Sequence, residues 1–301
     1  MRTSFIRQLM AEARTNERLF LIVGDLGYHV VEPFAEAFPG RFLNAGIAEQ
    51  NMAGVAAGLA MTGFNVYIYS IGNFPTLRCL EQIRNDITYH RANVKIISVG
   101  AGYAYGSLGA THQATEEIGA MRVLPGMVVA TPGDPAEARA VATLSAAYEG
   151  PMYIRLGKAG EKTVHEEASL SLRMGDIVPV KTAPGNKKAV LACGSILSAA
   201  RQQIENEKRP YDLYSVPFVK PLNDGPLLEL AAACPEEWVT LEEHQSSCGM
   251  GSAIVERLSD LHASGRLLFF PRIRRVAIPD EFAAVAGTQD YLRNYENLRI
   301  V

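Results

Sequence analysis

Several common catalytic signatures are missing from this 301-residue sequence. No G-x-G-x-x-G turn follows the first predicted strand and no G-x-x-x-x-G-K-[ST] loop occurs, which disfavours nicotinamide enzymes and P-loop nucleotidases. The sequence also has no G-x-S-x-G elbow and no H-E-x-x-H, which disfavours α/β-hydrolases and zinc peptidases. The function must therefore be sought in other features.

Cysteine and unbalanced charge are also scarce. The four cysteines are widely spaced and form no C-x-x-C pair, which indicates reduced thiols in a cytoplasmic protein rather than disulfides or a zinc site. The net charge is -3 with both signs interspersed, so nothing favours a nucleic-acid groove or a basic membrane patch. Gly, Asn, Gln, Thr and Pro interrupt the long apolar run, and the N-terminus lacks a signal-peptide pattern. The sequence predicts neither a membrane span nor export.

The apolar residues, 48% of the chain, form short runs that alternate with helical patterns. Runs such as Leu19–Val23 and Val94–Val99 are typical of parallel strands that helices cover on both faces. The sequence therefore predicts an α/β fold with two domains, each a mostly parallel sheet flanked by helices. We place the first domain at residues 1–160, a linker at 161–188 and the second domain at 189–301. Ligands of such sheets bind at the carboxyl ends of the strands.

One acidic residue, Glu49, lies within a long uncharged stretch. No other formal charge occurs between Arg41 and Arg78. An ionised carboxylate in apolar surroundings is costly unless it is paired or protonated, and a buried Glu of this kind suits general acid–base chemistry. Alternatively, Glu49 caps the helix predicted from Ala48 to Met61, because acidic side chains are favoured in a first turn. Its helical register with the apolar side of that helix favours the catalytic interpretation.

Three other positions are candidates for ligand contacts. A glycine-rich loop leads into Thr-His-Gln at residues 111–113, where His112 could donate to a hydroxyl or shuttle a proton, or could cap a helix or belong to the core. Phe74 follows a predicted strand, and its ring could stack on a flat ligand or pack in the core. Arg155 lies near the end of a predicted strand, where a guanidinium suits phosphate recognition. Arg2 is a second basic candidate. For either residue, the usual role of an isolated arginine is a surface ion pair.

Five segments resemble the transketolase family, in order along the chain. Residues 46–52 resemble its G-I-x-E-x-x-M segment, and residues 109–113 resemble its G-P-T-H-Q. Residues 132–135 resemble its P-x-D turn, and residues 242–244 with 249–251 resemble its C-terminal domain. The chain is identified as a member of this family, as the half that carries the pyrimidine-binding and C-terminal domains of a split transketolase.

The resemblance implies a site for thiamine diphosphate. Glu49 would hydrogen-bond N1′ of the aminopyrimidine and share a proton with it, which favours the tautomer that accepts the thiazolium proton. His112 would contact the donor sugar near the reacting carbons. The other implied contacts are Phe74, Asp25 and Ile47 with the cofactor, and Arg155, Arg2 and His29 with the substrate phosphate.

The resemblance does not extend to the family's diphosphate-binding domain. Its metal motif, Gly-Asp-Gly with a downstream Asn, has no counterpart in this sequence. A separate partner chain would therefore carry the Mg²⁺ and hold the diphosphate, and this chain would supply no metal ligand. We expect a heterodimer at least, a heterotetramer as the fuller assembly, and a partner surface that completes the burial of Glu49. The implied reaction moves a two-carbon ketol unit between phosphosugars.

Two departures from the family pattern concern the donor sugar. Full-length transketolases carry an Asp four residues before the His of Thr-His-Gln and a His after the preceding strand, where this sequence has Leu108 and Gly100. Either the sugar differs from xylulose 5-phosphate, or the loop is rebuilt with Tyr103, Tyr105 and Ser107. The alternatives that remain are a subunit like 1-deoxyxylulose-5-phosphate synthase, a 2-oxo-acid dehydrogenase β subunit, and a scaffold subunit with a degenerate site.

Overall fold

The computed structural model describes residues 1–165 and 170–300; residues 166–169 of the predicted linker and residue 301 of the predicted second domain lie outside the described residues. The strands are β1 Leu19–Val23, β2 Phe42–Asn44, β3 Asn65–Ile71, β4 Val94–Val99, β5 Val128–Ala130, β6 Met152–Leu156, β7 Val178–Lys181, β8 Lys188–Ala192, β9 Asp212–Ser215, β10 Phe218–Lys220, β11 Glu237–Gln245 and β12 Arg272–Ile278. The helices are α1 Arg2–Thr15, α2 Glu32–Ala37, α3 Glu49–Met61, α4 Leu80–Gln82, α5 Glu117–Arg122, α6 Pro135–Ala147, α7 Leu197–Asn206, α8 Asp224–Ala233, α9 Met250–Ala263 and α10 Gln289–Tyr295.

The described strands form two sheets. The first has the order β10-β5-β6-β4-β3-β1-β2, and the second the order β12-β11-β8-β9-β7. Every pair in the first sheet is parallel except β10 with β5, and every pair in the second is parallel except β7 with β9. The predicted α/β architecture of two mostly parallel sheets flanked by helices is confirmed.

Helices cover both faces of the first sheet, so its central strands β3, β4 and β6 are buried almost throughout. On one face, α1 and α6 pack against each other and bury Phe5 and Val141 with Leu21 of β1. On the other face, α3 buries Met52 together with strand residues such as Ile68. Burial on both faces favours continuous apolar strands over alternating ones. In the described ranges, no helix is both long and apolar enough to cross a bilayer.

The two sheets share a core and a strand connection. The core on the α3 side continues without a break into the second domain, where it includes Trp238 and Met250. Strand β10 follows β9 of the second sheet but pairs with β5 of the first, with Phe218 opposite Ala130. Strand β7 lies inside the segment predicted as a linker and pairs with β9. The two domains are therefore joined by a strand pairing as well as by packing.

Candidate active site

The candidate site lies at the carboxyl edge of the first sheet. Strands β1, β3, β4 and β6 are parallel, so the segments that follow them meet at one edge. These segments carry Asp25, Phe74, His112 and Lys158. Glu49 joins them because α3 begins beside the end of β1: a Cβ added to Gly24 would lie 3.6 Å from Cγ of Glu49.

Glu49 is buried within this chain. Only 3% of the side chain is exposed, and Nη1 of Arg78 donates a hydrogen bond to Oε2 of Glu49 over 2.9 Å. Glu49 is the first residue of α3 and the acidic residue of its first turn, as the capping alternative expects, although Ala48 at the N-cap makes no side-chain hydrogen bond. The expectation that a partner chain completes its burial is wrong for this protein, because its own helix and strand ends already enclose the carboxylate. Arg78 supplies the charge partner that such burial requires.

Glu49 lies near a buried thiol and near a buried hydroxyl that lacks a hydrogen-bond partner among the described residues. Burial, assisted by the charge of Glu49 and opposed by that of Arg78, raises the pKa of the Cys79 thiol to about 12. The hydroxyl of Ser70, 3.5 Å from a Cβ added to Gly24, is fully buried and has no hydrogen-bond partner among the described residues. Orphaned buried polar atoms of this kind are uncommon and call for an explanation such as an absent ligand or water.

Phe74 and His112 lie next to the Glu49–Arg78 pair. The guanidinium carbon of Arg78 is 4.4 Å from the centroid of the Phe74 ring, and the His112 ring meets Phe74 edge-on with centroids 5.4 Å apart. His112 is half-buried, and its Nδ1 lies 3.0 Å from Oγ1 of Thr111. A carboxylate, a guanidinium, an aromatic ring and an imidazole are thus brought into one group, of which the sequence predicted all but the guanidinium.

Asp25 and Ile47 flank this group. Asp25 has a φ of +54° and exchanges two hydrogen bonds of 3.0 Å with the Asn44 side chain. The Oδ1 of Asn44 also accepts from the Gly46 amide over 3.0 Å, which fixes the loop that leads into α3. Ile47 stands on that loop with 79% of its side chain exposed. An apolar side chain held out on an ordered loop is available for a ligand or another chain.

Arg155 does not occupy the position predicted for it. The side chain is only 1% exposed, and it is ion-paired with the equally buried Glu117. Its Nη2 donates to the carbonyls of Ala114 and Glu243 over 2.7 and 2.8 Å. Burial alone would lower the pKa of Arg155, but Glu117 outweighs it and raises that pKa. A phosphate could reach Arg155 only by breaking these contacts, so the predicted phosphate role is corrected to a structural one.

Arg2 and the loop that carries His29 both adjoin Tyr69 on β3. Burial raises the pKa of Tyr69, which stands at about 12 even though the charge and hydrogen bond of Arg2 lower it. The Nε of Arg2 is buried without a hydrogen-bond partner in the described chain. His29 is exposed in the loop that also contains Gly27. This loop runs close to Tyr69, because a Cβ added to Gly27 would lie 2.9 Å from the Tyr69 ring. Their predicted phosphate contacts stay predictions.

In the loop after β4, an aromatic ring packs against a glycine. Gly100 has a φ of +98°, and a Cβ added there would run into the ring of Tyr105. The ring of Tyr105 therefore occupies the space that a side chain at position 100 would need. Leu108, in place of the family's Asp, is 56% exposed. Of the other residues proposed for rebuilding, Tyr103 is buried and Ser107 is exposed.

Sequence reasoning missed two cations at this edge, Arg78 and Lys158. Arg78 closes the uncharged stretch around Glu49, so the signal was present as the nearest downstream charge. Lys158 is exposed and lies two residues beyond β6. Leu156, at the end of β6, accepts from the Gly100 amide over 2.9 Å, and a Cβ on Gly157 would lie 2.7 Å from the Met1 side chain. The residues just before Lys158 thus lie beside the end of β4 and the start of the chain.

The chain matches two family models. Residues 1–160 match the transketolase pyrimidine-binding domain, and residues 179–295 match the transketolase C-terminal domain. The chain belongs to the transketolase family. Together the two models cover the part of a transketolase that the sequence resemblance indicated, and that assignment is confirmed.

Relatives of similar length are themselves parts of transketolases. The putative transketolase C-terminal section of Methanocaldococcus jannaschii is 32% identical over 98% of this chain and 91% of its own length. One of the subunits of the apulose-4-phosphate transketolase of Phocaeicola vulgatus is 31% identical over 98% of this chain and 92% of its own. A solved split-gene transketolase, described as an inactive β4 tetramer, superposes with a TM-score of 0.85 at 33% identity, covering 99% of this chain and 93% of that one.

Proposed function

We propose that this chain is the pyrimidine-binding subunit of a thiamine-diphosphate-dependent transketolase, which transfers a two-carbon ketol unit between sugar phosphates. The observation that carries the proposal is the buried Glu49 carboxylate at the sheet edge, held by a half-exposed arginine beside an aromatic ring. The match to the pyrimidine-binding domain and the names of the relatives support it.

The residues at the edge suit an aminopyrimidine ring. Glu49 offers a carboxylate oxygen to a ring nitrogen, Phe74 offers an aromatic face, and the orphaned hydroxyl of Ser70 offers a further polar contact. When bound, thiamine diphosphate supplies the carbon centre and the electron sink for the transfer. Glu49 would hold a shared proton at N1′, Phe74 would fix the plane of the ring, and Ile47 and Asp25 would flank it. This chain's part in catalysis is orientation and one positioned proton.

The sugar would be bound by His112 and the cations at the same edge. His112 is half-buried beside Phe74 and can donate to a hydroxyl of the donor sugar. We place Lys158, with Arg2 and His29, at the substrate phosphate, because Lys158 is exposed where Arg155 is enclosed. Lys158→Gln should raise KM for a phosphorylated sugar several-fold with little change in kcat, whereas exposed Lys187→Gln should change neither.

A second chain would supply the diphosphate site. The two matched family models leave out the diphosphate-binding domain, and the sequence has no counterpart of its metal motif. We therefore propose that Mg²⁺ lies on the partner, that the active species is a heteromer, with a heterotetramer as the favoured form, and that it works in the cytoplasm. The described residues contain no group of three or more His, Cys, Asp or Glu arranged around a metal.

The test reconstitutes this chain with a diphosphate-binding chain that contains Gly-Asp-Gly and a downstream Asn. Ketol transfer is measured in a coupled assay with thiamine diphosphate and Mg²⁺. We expect no turnover from the isolated chain, turnover from the mixture, and a loss of roughly a hundredfold or more in kcat for Glu49→Gln. Exposed Glu81→Gln on α4 is the matched control and should be neutral.

Two results would count against the proposal. Steady turnover by the isolated chain would remove the need for a partner. Unchanged turnover by Glu49→Gln in the mixture would favour a scaffold subunit with a degenerate site. Product analysis with the same mixture separates ketol transfer from formation of a deoxyxylulose phosphate.

A further inference from the structure

Arg78 makes both contacts that the proposed site offers to a pyrimidine. Its guanidinium is flat; one edge donates to Oε2 of Glu49 over 2.9 Å, and one face lies 4.4 Å from the centroid of the Phe74 ring. An aminopyrimidine is also a flat group with polar edges. The carboxylate and the aromatic face that bind the guanidinium of Arg78 could therefore bind an aminopyrimidine in the same way.

We propose that Arg78 is a placeholder, which occupies the pyrimidine position in the free chain and leaves it when the cofactor binds. This inference rests on the proposed function and concerns the same site. Its consequence is that binding of the cofactor is an exchange of one partner of Glu49 for another. The buried carboxylate keeps a hydrogen-bond donor before and after the exchange, so it is never left alone.

The exposures of the two side chains favour such an exchange. Glu49 is 3% exposed and enclosed by its own helix and strand ends, whereas the side chain of Arg78 is 45% exposed. The guanidinium can therefore turn into solvent while the carboxylate stays. The pair is more favourable than the unpaired carboxylate, so Arg78 stays in place until another donor arrives.

The backbone of Arg78 is anchored independently of its side chain. Its carbonyl accepts a hydrogen bond from Nε2 of Gln50 over 3.1 Å, and its amide donates to the Asn73 carbonyl over 3.2 Å. The short helix Leu77–Cys79 that carries it is continued by α4. Movement of the guanidinium consequently requires rotation of the side chain alone, and Phe74 stays where it is needed.

A placeholder arginine and an arginine that holds the cofactor have opposite effects on cofactor affinity when they are removed. If Arg78 competes with the pyrimidine, its removal strengthens cofactor binding; if Arg78 holds the pyrimidine, its removal weakens it. In the reconstituted complex, we expect Arg78→Ala to lower the Kd for thiamine diphosphate by about threefold to tenfold, since a half-exposed ion pair no longer has to be opened. Binding is measured by calorimetry or by quenching of intrinsic fluorescence, without turnover.

Three companion variants make the result specific. Arg78→Gln should give the same tightening and guards against a folding defect peculiar to alanine. Arg78→Lys keeps the charge but loses the flat group, so its Kd should lie between those of the wild type and Arg78→Ala. Arg84→Ala removes an exposed arginine from the same segment and should leave the Kd unchanged.

A second measurement uses the isolated full chain and 4-amino-2-methylpyrimidine as the probe. The Arg78→Ala chain should bind this fragment more tightly than the wild-type chain, and Glu49→Gln combined with Arg78→Ala should lose the gain. Equal or weaker binding of cofactor and fragment by Arg78→Ala, in a complex whose Glu49→Gln variant has lost turnover, would overturn the placeholder role alone. Unchanged turnover by Glu49→Gln would instead overturn the proposed function beneath it.

Discussion

The first domain holds two arginine–glutamate pairs near the same sheet edge, and they differ in how open they are. In the Glu49–Arg78 pair the carboxylate is buried and the arginine is 45% exposed. In the Glu117–Arg155 pair both side chains are enclosed, at 0% and 1% exposure. Arg155 is further held by two carbonyls, one of them from Glu243 of the second domain. The same two residue types thus form one pair with a solvent-facing arginine and one pair that is fully enclosed.

The difference shows that charge at a strand end does not by itself mark a ligand site. A guanidinium with every contact inside the protein contributes to structure, because releasing it would leave buried groups unpaired. A guanidinium with one buried partner and one solvent-facing side can be exchanged. The second domain accounts for the closure, since its Glu243 carbonyl reaches over Arg155 at the carboxyl edge of the first sheet.

The largest effect is expected from breaking the closed pair. Arg155→Met should lower the free energy of unfolding by about 3–5 kcal/mol, because Glu117 would be left charged in a dry interior. Urea titration followed by circular dichroism measures the change. Arg155→Met combined with Glu117→Gln should recover much of the loss, because neither charge then remains. A single variant as stable as the wild type would mean that the pair is not closed in solution.

An intermediate effect on stability is expected from Glu137, a carboxylate that is fully buried near the second domain. Burial raises its pKa from 4.5 to about 7, although His165, 3.3 Å away, opposes the rise. Between pH 4.5 and 7 the folded chain therefore holds a proton that the unfolded chain has released, and stability falls as pH rises through this window. The free energy of unfolding should therefore decrease between pH 5 and 8, and Glu137→Gln should make this decrease smaller by about 1–3 kcal/mol.

Urea titrations at the two pH values test this expectation. Exposed Glu229→Gln serves as the control and should leave the pH dependence as it is. The neighbouring Asp134 acts at lower pH: hydrogen bonds from His165 and backbone amides outweigh burial and lower its pKa to about 2. Its contribution is present above pH 3.8 and is lost only as the pH falls below that value. A wild-type free energy of unfolding that rises between pH 5 and 7 would contradict the raised pKa of Glu137.

The smallest effect is expected from the open pair. Arg78→Gln should change the free energy of unfolding by about 1 kcal/mol or less, since half-exposed pairs contribute little and water can reach the vacated side. The same urea titration measures it beside Arg155→Met. A loss as large as that of Arg155→Met would erase the distinction between the two pairs and would place Arg78 among the structural residues.

Much of the fold followed from apolar periodicity. The runs that predicted strands at Leu19–Val23 and Val94–Val99 form β1 and β4. Short or polar elements were missed: β10 has three residues and takes its partner from the other domain, and β12 carries three arginines on an edge. Such elements are specified by their neighbours in space and leave little pattern in the sequence.

The candidate site was predictable where one segment decides the environment. Glu49 stands among uncharged residues, so its burial could be inferred locally. The orientation of Arg155 could not be inferred, because β6 is buried on both faces and strand alternation then gives no outward side. Its enclosure depends on Glu117 from α5 and on the second domain. Arg78 was overlooked for a related reason: its pairing with Glu49 joins residues 29 positions apart.

The strand β10 limits how this protein can be dissected. Although residues 1–160 match a family domain, the sheet of that domain ends in β5, which pairs with β10 from residues 218–220. A fragment cut after residue 160 would expose the β5 edge and the apolar surface that Trp238 and Met250 now cover. Recombination that exchanges C-terminal domains between relatives would have to preserve this pairing. The structural unit is consequently the whole chain and not either family domain alone.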